Sequence, residues 1–309
     1  MAFEIIPFYK QLLRLFLFMG AGALTRSTGL ITEKRLALLS RILIDVMVPC
    51  LIFSAFLQKF SRDMIVSGFF VALIGFAVTF AGYIFGKLCA PLLPEEYRAS
   101  KMFLALCSLG NTTFLPIPLV FSLYGPHALL FVFLYDFGCA VIVWTLGVKL
   151  FSGGKEKMRI VNFLTPGLLT MLIAVTLVFF SAGSVLPGAA LQSAVVIGSG
   201  TIPLALLMVG WLLSEAFAER TFNAAIAFSC FIKLILVPAI VLAFLKFFGA
   251  SLSPLTKTII LLEAAMPAMS SSAVFAKRYG GDTRLASSGV FYSTLFSFLS
   301  VPFFLRLMR

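Results

Sequence analysis

The chain has 309 residues, 61% of them hydrophobic and 12% charged, with a formal charge of +12 and a mean hydropathy of +1.08. Soluble domains carry about 25% charged residues, so this composition excludes water as the main solvent. The basic excess falls in short loops between apolar runs, a pattern of membrane orientation and lipid contact that argues against nucleic acid as a partner.

Apolar runs long enough to cross a bilayer as helices follow one another from end to end. In chain order they predict ten spans at about 5–24, 36–57, 64–86, 99–124, 127–149, 162–181, 188–213, 221–247, 256–279 and 284–307. The first 26 residues lack the basic start and cleavage site of a signal peptide and read as the first span. No polar stretch is large enough for a separate soluble domain. Sorted by side, fifteen Lys and Arg face one way and eight the other, with Lys233 inside a span. The more basic side is expected in the cytoplasm, so both termini are expected outside.

The two halves resemble each other. Tyr124-Gly125 and Tyr279-Gly280 lie 155 residues apart, and Pro49 and Pro203 repeat within a residue of that spacing. Five spans per half is an odd number, so the second half must insert upside down. The expected domains are a first five-helix repeat at 1–151, a cytoplasmic linker at 152–160 and a second, inverted repeat at 161–309. The fold class is therefore an all-α membrane protein of ten transmembrane helices in two inverted repeats.

Span four carries Gly110, Asn111, Thr112, Thr113, Pro116 and Pro118, and a continuous helix there is unfavourable. Span nine is broken by Pro267 and followed by Ser270, Ser271 and Ser272. Shifting by 155 residues puts Asn111 on Met266 and Thr112 on Pro267, so the two breaks coincide in the repeat. Freed backbone at membrane depth is tolerated where it is buried in protein or lines a wet cavity. Helix N-termini meeting there, each with roughly +0.5 of a charge, would favour an anion such as a carboxylate. Two proline kinks that only shape packing are the plainer alternative.

Charges inside spans are costly and mark candidate sites. Asp136, about nine residues into span five, is a candidate proton carrier or a partner for a nearby cation or hydroxyl. Glu263 stands one turn before Pro267, as a proton or cation site or as a surface carboxylate paired with Lys257. Lys233 either attracts an anionic substrate or snorkels along its helix. Asp45 follows Arg41 by four residues, the spacing of an ordinary helical ion pair. His127 reads as a solvated loop histidine. The five cysteines have no metal-ligand spacing and read as small core residues. No catalytic motif, Walker motif or metal site is present, so no enzyme activity and no cofactor are expected.

The stretch GNTTFLPIPLVFSLYG at 110–125 and EAAMPAMSSSAVFAKRYGGD at 263–282 resemble the two signatures of the auxin efflux carrier family, the second the more specific. The resemblance spans the chain and looks like a compact bacterial-type member, lacking the long central loop of many plant carriers. It implies crossing of broken helices 4 and 9, as in bile-acid symporter and NhaA-like folds, with Pro116, Pro118 and Pro267 at the crossover. It also implies an elevator in which helices 3–5 and 8–10 move against helices 1, 2, 6 and 7.

The implied function is secondary transport of small organic anions, either malonate- or malate-like dicarboxylates or auxin-like acids. The substrate is expected at Asn111, Thr112, Thr113, Met266, Pro267 and Ser270. Coupling, if any, would use H+ or Na+ at Asp136, Glu263 or Lys233. The alternatives are a sodium-coupled symporter of the bile-acid type and a membrane receptor that moves nothing. The expected location is a bacterial inner membrane, with monomer and homodimer both open.

Overall fold

The computed structural model describes residues 5–152, 165–181, 187–218 and 220–308. These are helical and contain no β-strand; their one isolated bridge joins Gly110 and Ala268. The expected linker at 152–160 lies, from residue 153 on, outside the described residues.

The helices run in order. α1 is Ile5–Ser27, α2 Glu33–Gln58 and α3 Arg62–Cys89. Two short helices follow, α4 Lys101–Ser108 and α5 Pro116–Tyr124. Next come α6 Pro126–Phe151, α7 Pro166–Phe179, α8 Gly188–Ala218 and α9 Ala224–Ser251. A second short pair, α10 Pro254–Ala264 and α11 Ser272–Tyr279, leads to α12 Thr283–Leu307. Among the described residues, six helices are long and apolar enough to cross a membrane: α2, α6, α8, α9, α12 and the segment Arg62–Leu92 that contains α3. α7 is apolar but shorter.

Local sequence explains the bounds. Ser61, Ser100, Asn223, Ser253 and Asp282 each cap a helix start with a side-chain oxygen, meeting amide groups that the helix itself leaves unpaired. The repeated Tyr-Gly pair is a pair of helix stops. Gly125 and Gly280 follow α5 and α11 with φ of +80° and +73°, which a side chain would strain.

Proline inside α2 and α9 does not end them. Each helix widens into a π-turn, Leu43–Met47 and Ile232–Leu236, just before Pro49 and Pro238. The wider turn makes room for a ring that would otherwise meet the preceding carbonyl. The same turn corrects one expectation. Asp45 lies in the π-turn, where the rotation per residue is smaller, and the Arg41–Asp45 ion pair is not formed.

The closest packing is between α3 and α6 and between α1 and α8. α2 packs on α7 and on the first half of α8, while α12 lies against α8, α9 and α11. Large apolar side chains such as Leu73, Phe80, Ile173, Phe247 and Leu299 point outward. An outward face this apolar suits lipid rather than water.

Candidate functional site

Chain breaks at 109–115 and 265–271 satisfy each other's backbone. Asn111 N–H donates to Pro267 O at 2.8 Å, and Met269 N–H to Leu109 O at 3.0 Å. Side chains add three further bonds. Asn111 Nδ2 donates to Ser270 Oγ at 2.5 Å, while its Oδ1 accepts from Phe114 N–H at 3.1 Å. Ala268 N–H donates to Ser293 Oγ of α12 at 3.1 Å. Some of the groups freed from two helices are thereby paired within the protein, as membrane depth favours.

Pro116 and Pro118 start a helix rather than interrupt one. They occupy the first and third positions of α5, where an amide would have no partner within the helix. Both are buried, as is Pro267.

A cavity of about 250 Å³ lies beside the first break. Asn111, Thr112, Thr113, Asp136, Met269 and Ser271 line its polar part. Its walls are apolar, with Phe133, Phe137 and Trp144 from α6, Phe275 from α11, Ile44, Val48 and Ile52 from α2, and Leu168 and Met171 from α7. Among the described residues, Asp136 is its one ionisable lining residue, and no lysine or arginine lines it. Asp136 Oδ1 accepts from both Thr112 Oγ1 and, at 2.9 Å, Thr113 Oγ1.

Two more charges lie outside that lining. Lys233 is 4% exposed and donates from Nζ to Ser108 O at 3.3 Å. Its ammonium sits against Gly110, 2.8 Å from where a Cβ would stand. It does not snorkel to the surface. Glu263 is 1% exposed, and neither of its carboxylate oxygens accepts a hydrogen bond from a described residue. No ion pair joins it to Lys257, and its charged neighbours are Asp136 and Lys233.

Of the residues expected to hold substrate, Asn111, Thr112 and Thr113 line the cavity, whereas Met266, Pro267 and Ser270 do not. The last three are buried, Pro267 and Ser270 bonded to Asn111, and Met266 faces a small separate cavity with Leu15 and Met19. Met269 and Ser271 take the cavity face instead. The aromatic walls were not singled out from sequence, although the signal existed: Phe133, Phe137, Ala140 and Trp144 recur at helical spacing around Asp136.

An all-helical, outwardly apolar molecule with interrupted helices joined beside a cavity belongs to the class of multi-pass membrane transport proteins. The family model for membrane transport proteins matches residues 7–305, and the chain is a member of that family, the auxin efflux carriers. An uncharacterized transporter of Methanocaldococcus jannaschii is 27% identical over 290 residues, 91% of this chain and 92% of that one. One of Methanothermobacter thermautotrophicus is 26% identical over 291 residues, with the same coverage. An uncharacterized transporter of Saccharomyces cerevisiae is 25% identical over 115 residues, 37% of this chain and 27% of that protein.

Proposed function

We propose that the protein is a secondary transporter of monocarboxylates with an apolar body. The observation that carries this is the lining of the cavity: five aromatic rings, a few polar groups and, among the described residues, no cation. One carboxylate suits the polar end, where Asn111 and Ser271 offer donors and α11 begins. Phe133, Phe137, Trp144 and Phe275 suit the body. The second carboxylate of a malonate or malate would be desolvated with no cation to receive it.

Asp136 carries the coupling proton in this reading. An anion entering beside an ionised Asp136 would meet a like charge, so anion and proton enter together. Lys233 supplies a fixed positive charge behind Gly110 that balances Glu263. A sodium-coupled reading has one observation in its favour, the two Glu263 oxygens without hydrogen bonds, which a cation could use. Sodium-independent flux removes it.

The architecture proposed is ten spans in two inverted repeats. α4 with α5 and α10 with α11 count as one crossed span each, and the repeats cover 1–151 and 161–309. Helices α3–α6 and α9–α12 form the moving part, and α1, α2, α7 and α8 the scaffold, with both termini outside. The site between α2, α7 and the moving helices supports alternating access by an elevator.

Ligand-dependent melting of the purified protein tests the substrate class. Phenylacetate or benzoate raises the melting temperature, malonate at equal concentration does not, and Asn111→Ala removes the shift. Stabilisation by malonate alone refutes the proposal.

A further inference from the structure

A second cavity, about 600 Å³, opens where α3 ends. It is lined by Tyr83 and Lys87 of α3, Pro91 of the turn that follows, Arg98 of the short helix Glu95–Arg98, Lys101 at the start of α4 and Leu150 of α6. Three of its nine lining residues are cationic and none is acidic. Glu95 and Glu96, on the same short helix as Arg98, do not line it.

The cations are held in place. Lys87 Nζ lies 5.1 Å from the centroid of the Tyr83 ring. Arg98 Nε donates to Leu93 O at 2.9 Å, which fixes the guanidinium plane. Neither forms an ion pair with a described carboxylate. The attraction of Lys87 and Arg98 is thus uncompensated within the cleft, and a phosphate is the anion that a guanidinium beside an ammonium suits.

The surroundings decide where that phosphate comes from. Leu73, Phe80, Ile84 and Leu88 are exposed, 54%, 43%, 38% and 67%, and form one face of α3 that leads away from the cleft. Leu92, which follows the lining residue Pro91, is 69% exposed. A free phosphate has no use for that strip, whereas acyl chains do.

We infer that this cleft binds the headgroup of an anionic phospholipid, with its chains along the outer face of α3. Lys87, Arg98 and Lys101 all belong to the more basic side of the chain, which faces the leaflet that attracts basic segments. The site is separate from the substrate cavity and shares no residue with it.

Lipid titration of the full-length protein in neutral detergent, read by native mass spectrometry and by melting, tests this. Phosphatidylglycerol binds on the order of tenfold tighter than phosphatidylcholine, as a few unit interactions with cations allow. The preference disappears in Lys87→Gln/Arg98→Gln and persists in Lys246→Gln, a basic residue outside the cleft. Retained melting behaviour in phosphatidylcholine shows that the double variant is folded. Equal binding of both lipids, or an unchanged preference in the double variant, overturns the site. Stabilisation by inorganic phosphate matching that by phosphatidylglycerol overturns the lipid assignment.

Discussion

Asn111 is both a clip and a wall. Its amide fixes Ser270 and the Phe114 backbone while its side chain faces the cavity. Asn111→Ala leaves the part-buried Phe114 N–H without its acceptor, so stability falls by about 1 kcal/mol. Ligand stabilisation disappears as well, and denaturant melts with and without phenylacetate separate the two effects. The proposed balance between Lys233 and Glu263 makes the two couple. Lys233→Met is expected to destabilise the protein, and most of that loss returns in Lys233→Met/Glu263→Gln. A double-mutant cycle that shows simple additivity contradicts that pairing. Asp136→Asn acts on function instead. It keeps substrate exchange across the membrane but makes uptake indifferent to a proton gradient, a comparison made in one set of liposomes.

At the scale of elements, α3 and α6 meet so closely that a Cβ at Gly138 would lie 1.8 Å from Ala72 O. Small residues let membrane helices approach in this way. Gly138→Val forces the pair apart, and the expected result is loss of monodisperse protein on gel filtration, whereas Gly20→Val, where nothing lies within 4 Å of an added Cβ, has no such effect. Much of this level was readable in advance. Gly110, Pro116 and Pro267 announced both breaks, because those residues disfavour a continuous helix and the expected repeat put them in register. The contact between the breaks depends on backbone pairs such as Asn111 N–H to Pro267 O. Residue type does not encode such pairs, so they were legible only through the family resemblance. Met266, Pro267 and Ser270 were expected on the substrate side, yet the bridge between Gly110 and Ala268 turns Met269 and Ser271 to the cavity. A rotation of one or two residues in an irregular segment has no periodicity to reveal it. The π-turn at Asp45 escaped for a similar reason, since a spacing of four residues presumes regular helix.

For the whole molecule, the ion pair Lys277–Glu33 joins α11 to α2, across the proposed boundary between moving part and scaffold. Both side chains are well exposed, 65% and 61%, so the pair adds little stability. It marks two points that an elevator must separate. With Cys50, Cys89, Cys107, Cys139 and Cys230 replaced, a short bismaleimide joining Glu33→Cys to Lys277→Cys stops uptake but leaves ligand stabilisation intact. Undiminished flux in the cross-linked protein contradicts the elevator. The central claim is that a cavity without cations carries one carboxylate with one proton. Its most direct test is uptake of labelled phenylacetate and labelled malonate into liposomes holding the purified protein, under an imposed proton gradient and without sodium. The account predicts accumulation of phenylacetate that exceeds the level reached in protein-free liposomes, follows the gradient and loses that dependence in Asp136→Asn, with malonate left outside. Malonate uptake without phenylacetate uptake, or flux that requires sodium, contradicts it.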